Sequence, residues 1–130
     1  MASGRLGARG DTGRRAEALA AALLERSGFR ILARNWRRPE GELDLIADHD
    51  GTCVFVEVRS RTGDQSGDPL ETLTARKRAQ VIRAARLYLD SGAPLAAAYR
   101  FDVVGVTFSP DDADADPVVV HITDAFDLND

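Results

Sequence analysis

Asp50-Gly51, set between two apolar runs, constrains this chain more than any other pair of residues. An Asp-Gly pair supplies the two positive-φ positions of a tight two-residue turn, whose twist matches that of the flanking strands. On one side Leu43, Leu45 and Ala47 alternate with Glu42, Asp44, Ile46 and Asp48. On the other, Cys53 to Ser60 is rich in β-branched residues and reads as a buried strand. The segment is predicted to be an antiparallel hairpin. If the turn is symmetrical, opposed residues have numbers that add to 101, which sets Asp44 against Glu57 and Glu42 against Arg59 on one face.

Directly opposed side chains on such a ladder have Cβ atoms ~4.5–5.5 Å apart, and like charges there repel unless something lies between them. A divalent cation would relieve that repulsion. Hard carboxylate oxygens suit Mg²⁺ or Mn²⁺, which bind through one or two protein carboxylates and leave positions for water and substrate phosphate. The alternative is that Glu57 and Glu42 pair with Arg59 and neighbouring arginines at the end of a half-exposed strand.

The remaining elements follow from punctuation. Arg14 to Ser27 is rich in Ala, Leu and Glu, with Leu19, Leu23 and Leu24 at helical spacing and Gly28 as its stop. Phe29 to Trp36 follows as a strand, then a turn over residues 37–41 containing Pro39. After a polar loop, Asp68-Pro69-Leu70-Glu71 supplies an N-cap, a first-turn proline and a capping acid, predicting a second helix to Asp90 that buries Leu73, Val81, Ile82, Ala85 and Leu89. Tyr99 to Val106 and Val118 to Thr123 are the last strands. The order is helix, three strands, helix, two strands. With 130 residues, 44% of them apolar, one core is expected. Residues 1–13 read as a flexible N-terminal segment and 14–127 as a single domain.

A net charge of −4 conceals a segregation. Residues 101–130 carry eight acids and no Lys or Arg, so the first hundred residues are net +4. Arg76, Arg83 and Arg86, with Gln80, form a helical stripe, and Trp36, Arg37 and Arg38 set an aromatic ring beside charge. Such features suit phosphate, and a nucleic acid bound by them would be read by backbone and shape rather than by base. The competing reading is a solvated surface with an acidic tail. Trp36 reads otherwise as a core-edge residue and His121 as a packing residue. The lone Cys53 has no partner for a disulfide, which fits a reducing cytoplasm. Arg14-Arg15 before the apolar run of residues 18–24 imitates an export signal, but Glu17, Glu25 and Arg26 interrupt it; no stretch reaches the ~20 apolar residues of a membrane span.

Asp44, twelve intervening residues, and then Glu57-Val58-Arg59 resemble the PD-(D/E)-x-K nuclease signature. Gly41-Glu42-Leu43-Asp44-Leu45-Ile46 followed by Val54-Phe55-Val56-Glu57-Val58-Arg59-Ser60-Arg61 resembles more narrowly the YraN-type family of uncharacterised predicted bacterial endonucleases. The likeness extends from Arg15-Ala16-Glu17 through Arg34-Asn35-Trp36-Arg37, Gly67-Asp68-Pro69, Lys77, Arg100-Phe101-Asp102-Val103-Val104 and His121 to Ala125-Phe126, roughly residues 9–127. It implies an α/β, restriction-endonuclease-like fold, with a mixed central sheet flanked by helices and akin to archaeal Holliday-junction resolvases.

Carried over by position, the resemblance makes Asp44 and Glu57 metal ligands, Glu17 an accessory carboxylate, and residue 59 the basic position. The implied activity is Mg²⁺-dependent (or Mn²⁺-dependent) cleavage of DNA, selective for branched or damaged structure, with a homodimer expected by analogy to the resolvases. The signature has Lys where this chain has Arg59, and a guanidinium stays protonated and cannot act as a base. Sixteen of the seventeen basic residues are Arg, the exception being Lys77. On the second helix, Lys77 is a candidate for the missing ammonium or for a phosphate contact. A nucleic-acid-binding module that keeps the nuclease fold without cutting is the alternative function, and an interaction domain for an acidic protein is a third.

Overall fold

The computed structural model describes residues 2–63, 68–112 and 114–127, with side chains from Gly10 onward. Gly67 of the Gly-Asp-Pro sequence lies outside the described residues. The elements are α1 (Ala2–Arg26), β1 (Arg30–Arg38), β2 (Gly41–His49), β3 (Thr52–Thr62), a 3-10 turn (Pro69–Thr72), α2 (Ala75–Asp90), β4 (Ala98–Phe108) and β5 (Val118–Phe126). The five strands form one mixed sheet in the order β1-β2-β3-β4-β5. Only β3 and β4 run parallel, because α2 carries the chain across one face between them. The other three junctions are antiparallel. This is an α/β architecture compatible with the restriction-endonuclease-like fold. No described helix is long and apolar enough to cross a membrane.

The Asp50-Gly51 turn forms as expected, with φ of 52° and 86°. From it the register runs His49↔Thr52, Asp48↔Cys53, Ala47↔Val54, Ile46↔Phe55 and Leu45↔Val56, which is the symmetrical pairing. Helices on both faces bury the central strands doubly. Leu45, Ala47, Val54 and Val56 pack towards α1, and Leu43, Ile46, Phe55 and Phe101 join the cluster with α2. The expected one-sided alternation of β2 therefore does not hold: Leu43, Leu45, Ile46 and Ala47 are all buried, and Leu43 lies in a different cluster from Leu45. The change of face falls at Asp44.

The α1 helix begins at Ala2, earlier than the start at Arg14 that the sequence pattern marks. Its buried contacts are chiefly Ala16, Ala20, Ala21 and Leu24, so small side chains let the helix approach the sheet, while Leu19 and Leu23 are only partly covered. The second helix also differs from expectation. Asp68 caps the 3-10 turn, its carboxylate accepting from the Leu70 N–H at 2.9 Å. Leu73 then turns extended and buried, and Thr74 opens a new helix by accepting from the Lys77 N–H at 3.1 Å. Two N-caps in succession divide what the apolar spacing alone reads as one helix. Val81, Ile82 and Ala85 are buried as expected, with Tyr88 deeper than Leu89.

Candidate metal and phosphate site

The β2–β3 ladder ends at Leu45↔Val56, one step before the carboxylates. In place of the next ladder bonds, Asp44 Oδ2 accepts the Val58 N–H at 2.8 Å. A side chain thus satisfies a backbone donor that the separating strands would otherwise leave open. Asp44 and Glu57 are not Cα partners, yet their carboxyls meet at this opening within hydrogen-bonding reach. Glu42 does not face Arg59 as the extended register predicts. It crosses to β1 instead, where its Oε2 is 3.4 Å from Arg37 Nε, because the ladder to β3 has already ended.

Glu57 is 4% exposed. Its carboxyl is pushed up to about 8, first by burial and then by the neighbouring Asp44 charge, against the opposing pull of Lys77 and Arg59. Burial also raises Asp44, while the Val58 N–H and Glu57 hydrogen bonds work to lower it. Two buried carboxyls this close hold a proton near neutrality, which is the state a divalent cation would displace. Lys77 Nζ lies 3.5 Å and Arg59 NH1 3.9 Å from the same oxygen, Glu57 Oε2. Arg59 is steadied by Thr72, donating from Nε to Oγ1 at 3.1 Å and from NH2 to the carbonyl at 3.3 Å.

Glu17 approaches from α1. Its carboxyl is raised mainly by burial, is hydrogen-bonded by the Asn35 side chain, and feels the charge of Asp44. Asn35 stands in β1 between the pairs Arg34↔Leu45 and Trp36↔Leu43, with a φ of 52°. The left-handed backbone sits beside Asp44, where both neighbouring strands are irregular. Asp44, Glu57, Glu17, Lys77 and Arg59 therefore gather at one end of the sheet. Among the described residues no group of three or more His, Cys, Asp or Glu is arranged to hold a metal ion. The Asp44–Glu57 pair is the candidate donor set, a number of carboxylates in keeping with the one or two by which proteins usually bind Mg²⁺.

A groove of about 330 Å³ is lined by the cations Arg37, Arg38, Lys77 and Arg83, by Gln80, and by the acids Glu40 and Glu42. Arg38 lies 4.4 Å over the Trp36 ring, and that ring meets Tyr88 edge-on at 5.5 Å, so Trp36 links the core to the groove's basic rim. Arg76 and Arg86 are exposed on α2 outside this lining.

A second polar centre was not visible in the sequence. Asp102 is fully buried, accepting from Arg100 Nε at 2.9 Å and the Asp124 N–H at 2.9 Å, with His121 Nε2 at 2.8 Å. Burial alone would raise its carboxyl, but the bonds from His121, Arg100 and Asp124 outweigh it and hold it low. His121 is thus a hydrogen-bonding partner of a buried acid rather than a packing residue alone. Aspartate within an apolar strand, with Arg two positions before it, was the available signal. Cys53 is buried too, its thiol pushed up to about 11 chiefly by that burial, which keeps it protonated and unreactive.

Comparison with known proteins finds that the model of the uncharacterised protein family UPF0102 matches residues 16–106. A UPF0102 protein of Nitratidesulfovibrio vulgaris (strain DP4) is 47% identical over 121 residues, covering 93% of this chain and 87% of its own. One from Anaeromyxobacter dehalogenans (strain 2CP-C) is 48% identical over 115 residues, 88% of this chain and 83% of the relative. One from Syntrophotalea carbinolica is 42% identical over 117 residues, covering 90% and 92%.

Proposed function

The chain belongs to the UPF0102 family, the YraN-type family its motifs resemble, and from its carboxylate site we propose that it is a Mg²⁺-dependent phosphodiesterase, an endonuclease selective for DNA structure. The observation that carries this reading is the meeting of Asp44 and Glu57 where the β2–β3 ladder opens, with Lys77 and Arg59 converging on one Glu57 oxygen.

Asp44 and Glu57 would hold Mg²⁺ or Mn²⁺, and the Val58 N–H fixes the direction of the Asp44 carboxylate. When bound, the ion supplies positive charge against which a phosphodiester can be attacked and its developing charge stabilised. Glu57 gives up its proton on metal binding, since its carboxyl is raised to about 8. Arg59, oriented by Thr72, presents a fixed guanidinium to the phosphoryl oxygens. Lys77 brings from α2 the ammonium that residue 59 lacks. Glu17 adds negative potential from the opposite layer. In the groove the four cations Arg37, Arg38, Lys77 and Arg83 outnumber the acids Glu40 and Glu42, which suits contact with the strand's backbone rather than with its bases.

The test is calorimetric titration with Mn²⁺ of the wild type beside Asp44→Asn, followed by cleavage of branched and linear DNA. Saturable binding lost in the variant, with cleavage lost in parallel, is expected. Binding and cleavage equal to wild type in Asp44→Asn would reject the assignment. Retention of DNA without cleavage under any divalent metal, unchanged by Arg59→Lys, would favour the non-cutting module.

A further inference from the structure

The gap that admits the carboxylates has a second side, on β1. The register there runs through Arg34↔Leu45 and resumes at Trp36↔Leu43, which puts Asn35 opposite Asp44 at a step where no pair forms. No residue is inserted between the two pairs, so the step is not a bulge. Yet the side chains change layer across it. Residues two apart on a strand share a face, but Arg34 lies 3.9 Å from Glu25 of α1, while Trp36 meets Tyr88 of α2. Leu45 and Leu43 divide between the same two layers. Both strands therefore turn over at the one step that holds Asp44.

Asn35 permits this turning-over. Its φ of 52° is left-handed, which reverses the pleat without adding a residue. Among residues with a side chain, Asn and Asp adopt that conformation most readily. The amide is used as well as the backbone, since it is hydrogen-bonded to the Glu17 carboxyl and so ties the strand to α1 at the same point. With an unbroken pleat Asp44 would point squarely into one helical layer. As the strands lie, its carboxylate reaches sideways to the Val58 N–H in the gap.

We infer that Asn35 is a positioning residue for the carboxylate site: its left-handed backbone sets Asp44 in the gap between β2 and β3, and its amide holds Glu17 towards Asp44. It acts through these two acids and touches neither metal nor substrate. A neutral amide suits the task, because it directs the Glu17 carboxyl without cancelling its charge as Lys or Arg would. The consequence for metal affinity rests on the phosphodiesterase reading; the placement of Asp44 does not.

The experiment compares Asn35→Gly, which keeps the left-handed backbone and drops the amide, with Asn35→Ala, which drops both. In the ¹⁵N-labelled full chain without divalent metal, the Val58 N–H signal reports the Asp44 carboxylate. That signal should stay near its wild-type position in Asn35→Gly and move in Asn35→Ala. An Asn35→Ala chain that fails to fold while Asn35→Gly folds reads the same way. By calorimetry, Mn²⁺ affinity should fall about fivefold in Asn35→Gly and at least about tenfold in Asn35→Ala. In a Glu17→Gln background, Asn35→Gly should add no further loss, because its effect runs through the charge of that acid. Val58 signals that do not distinguish Asn35→Gly from Asn35→Ala would overturn the backbone role. A loss of Mn²⁺ affinity that persists undiminished in the Glu17→Gln background would overturn the role of the amide. If the wild type binds no Mn²⁺ while the Val58 signal responds as described, the metal reading alone falls and the placement of Asp44 stands.

Discussion

Asp44 occupies the place of a strand: its carboxylate takes the Val58 N–H at 2.8 Å where the β2 backbone would otherwise have done so. This gives the residue two separable duties. Asp44→Asn keeps an oxygen for Val58 and should cost little stability while removing metal binding. Asp44→Ala leaves the N–H unpaired and should cost about 1–3 kcal/mol in addition. Urea denaturation of both variants in EDTA measures the difference, and equal midpoints would show that the bond contributes nothing.

Glu57 should make the metal-free protein less stable as the pH rises. Its carboxyl binds a proton up to about 8 in the folded chain and only to its ordinary 4.5 when unfolded. Between these values the native state holds more protons, so stability falls with increasing pH across the window. Glu57→Gln should lack that loss in EDTA and melt above the wild type at the alkaline end. Mn²⁺ should restore the wild type there and leave the variant unmoved. Parallel melting curves for the two proteins would contradict the assignment.

Asp102 should behave with the opposite sign. Its carboxyl is held below the usual 3.8, so the stability it contributes is present above that value and is lost as the pH falls through the lower folded value. Asp102→Asn leaves Arg100, His121 and the Asp124 N–H with a weaker acceptor and should cost about 3 kcal/mol. Thermal melts from neutral to acid pH test both statements. Asp102 and Glu57 are both buried on the central strands; three donors overcome burial and lower one, whereas burial and then a neighbouring acid raise the other.

Lys77→Met should reduce DNA cleavage about a hundredfold and move the pH dependence of Mn²⁺ binding upwards, because the ammonium's attraction helps to keep Glu57 ionised. Arg59→Lys should be tolerated far better. Single-turnover rates across pH decide this, and an unchanged profile in Lys77→Met would remove the residue from the site.

Gly105→Ala should destabilise the chain by about 1–3 kcal/mol, since the new methyl would collide with Pro69. The turn must lift, and Thr72 with it, so the Arg59 Nε–H signal should change in the same variant. A stability equal to wild type would mean that the turn yields freely.

What the sequence made legible was local and covalent. Asp50-Gly51 set a turn, and the turn set a register that holds as far as Leu45↔Val56, one step short of the predicted Asp44–Glu57 pair, whose carboxyls meet where the ladder ends. The point at which pairing stops was not legible, because it depends on Asp44 competing for a backbone donor, and no periodicity records that. For the same reason the extension to Glu42 and Arg59 failed while Leu45 and Val56 held. The split before α2 lay in Thr74, a second cap hidden behind a stronger first one. That Asp102 and His121 pair was not legible, because 19 residues separate them and only the β4–β5 pairing unites them.

Where the ladder opens, the sheet ceases to divide the two helical layers. Glu17 is offered from α1, where its carboxyl feels the Asp44 charge, and Lys77 from α2, where it reaches Glu57 and attracts both acids. The centre is thus a window rather than a wall fitting. The charge balance at these two acids is therefore set from both sides of the sheet at once, negative potential arriving from one helical layer and positive from the other.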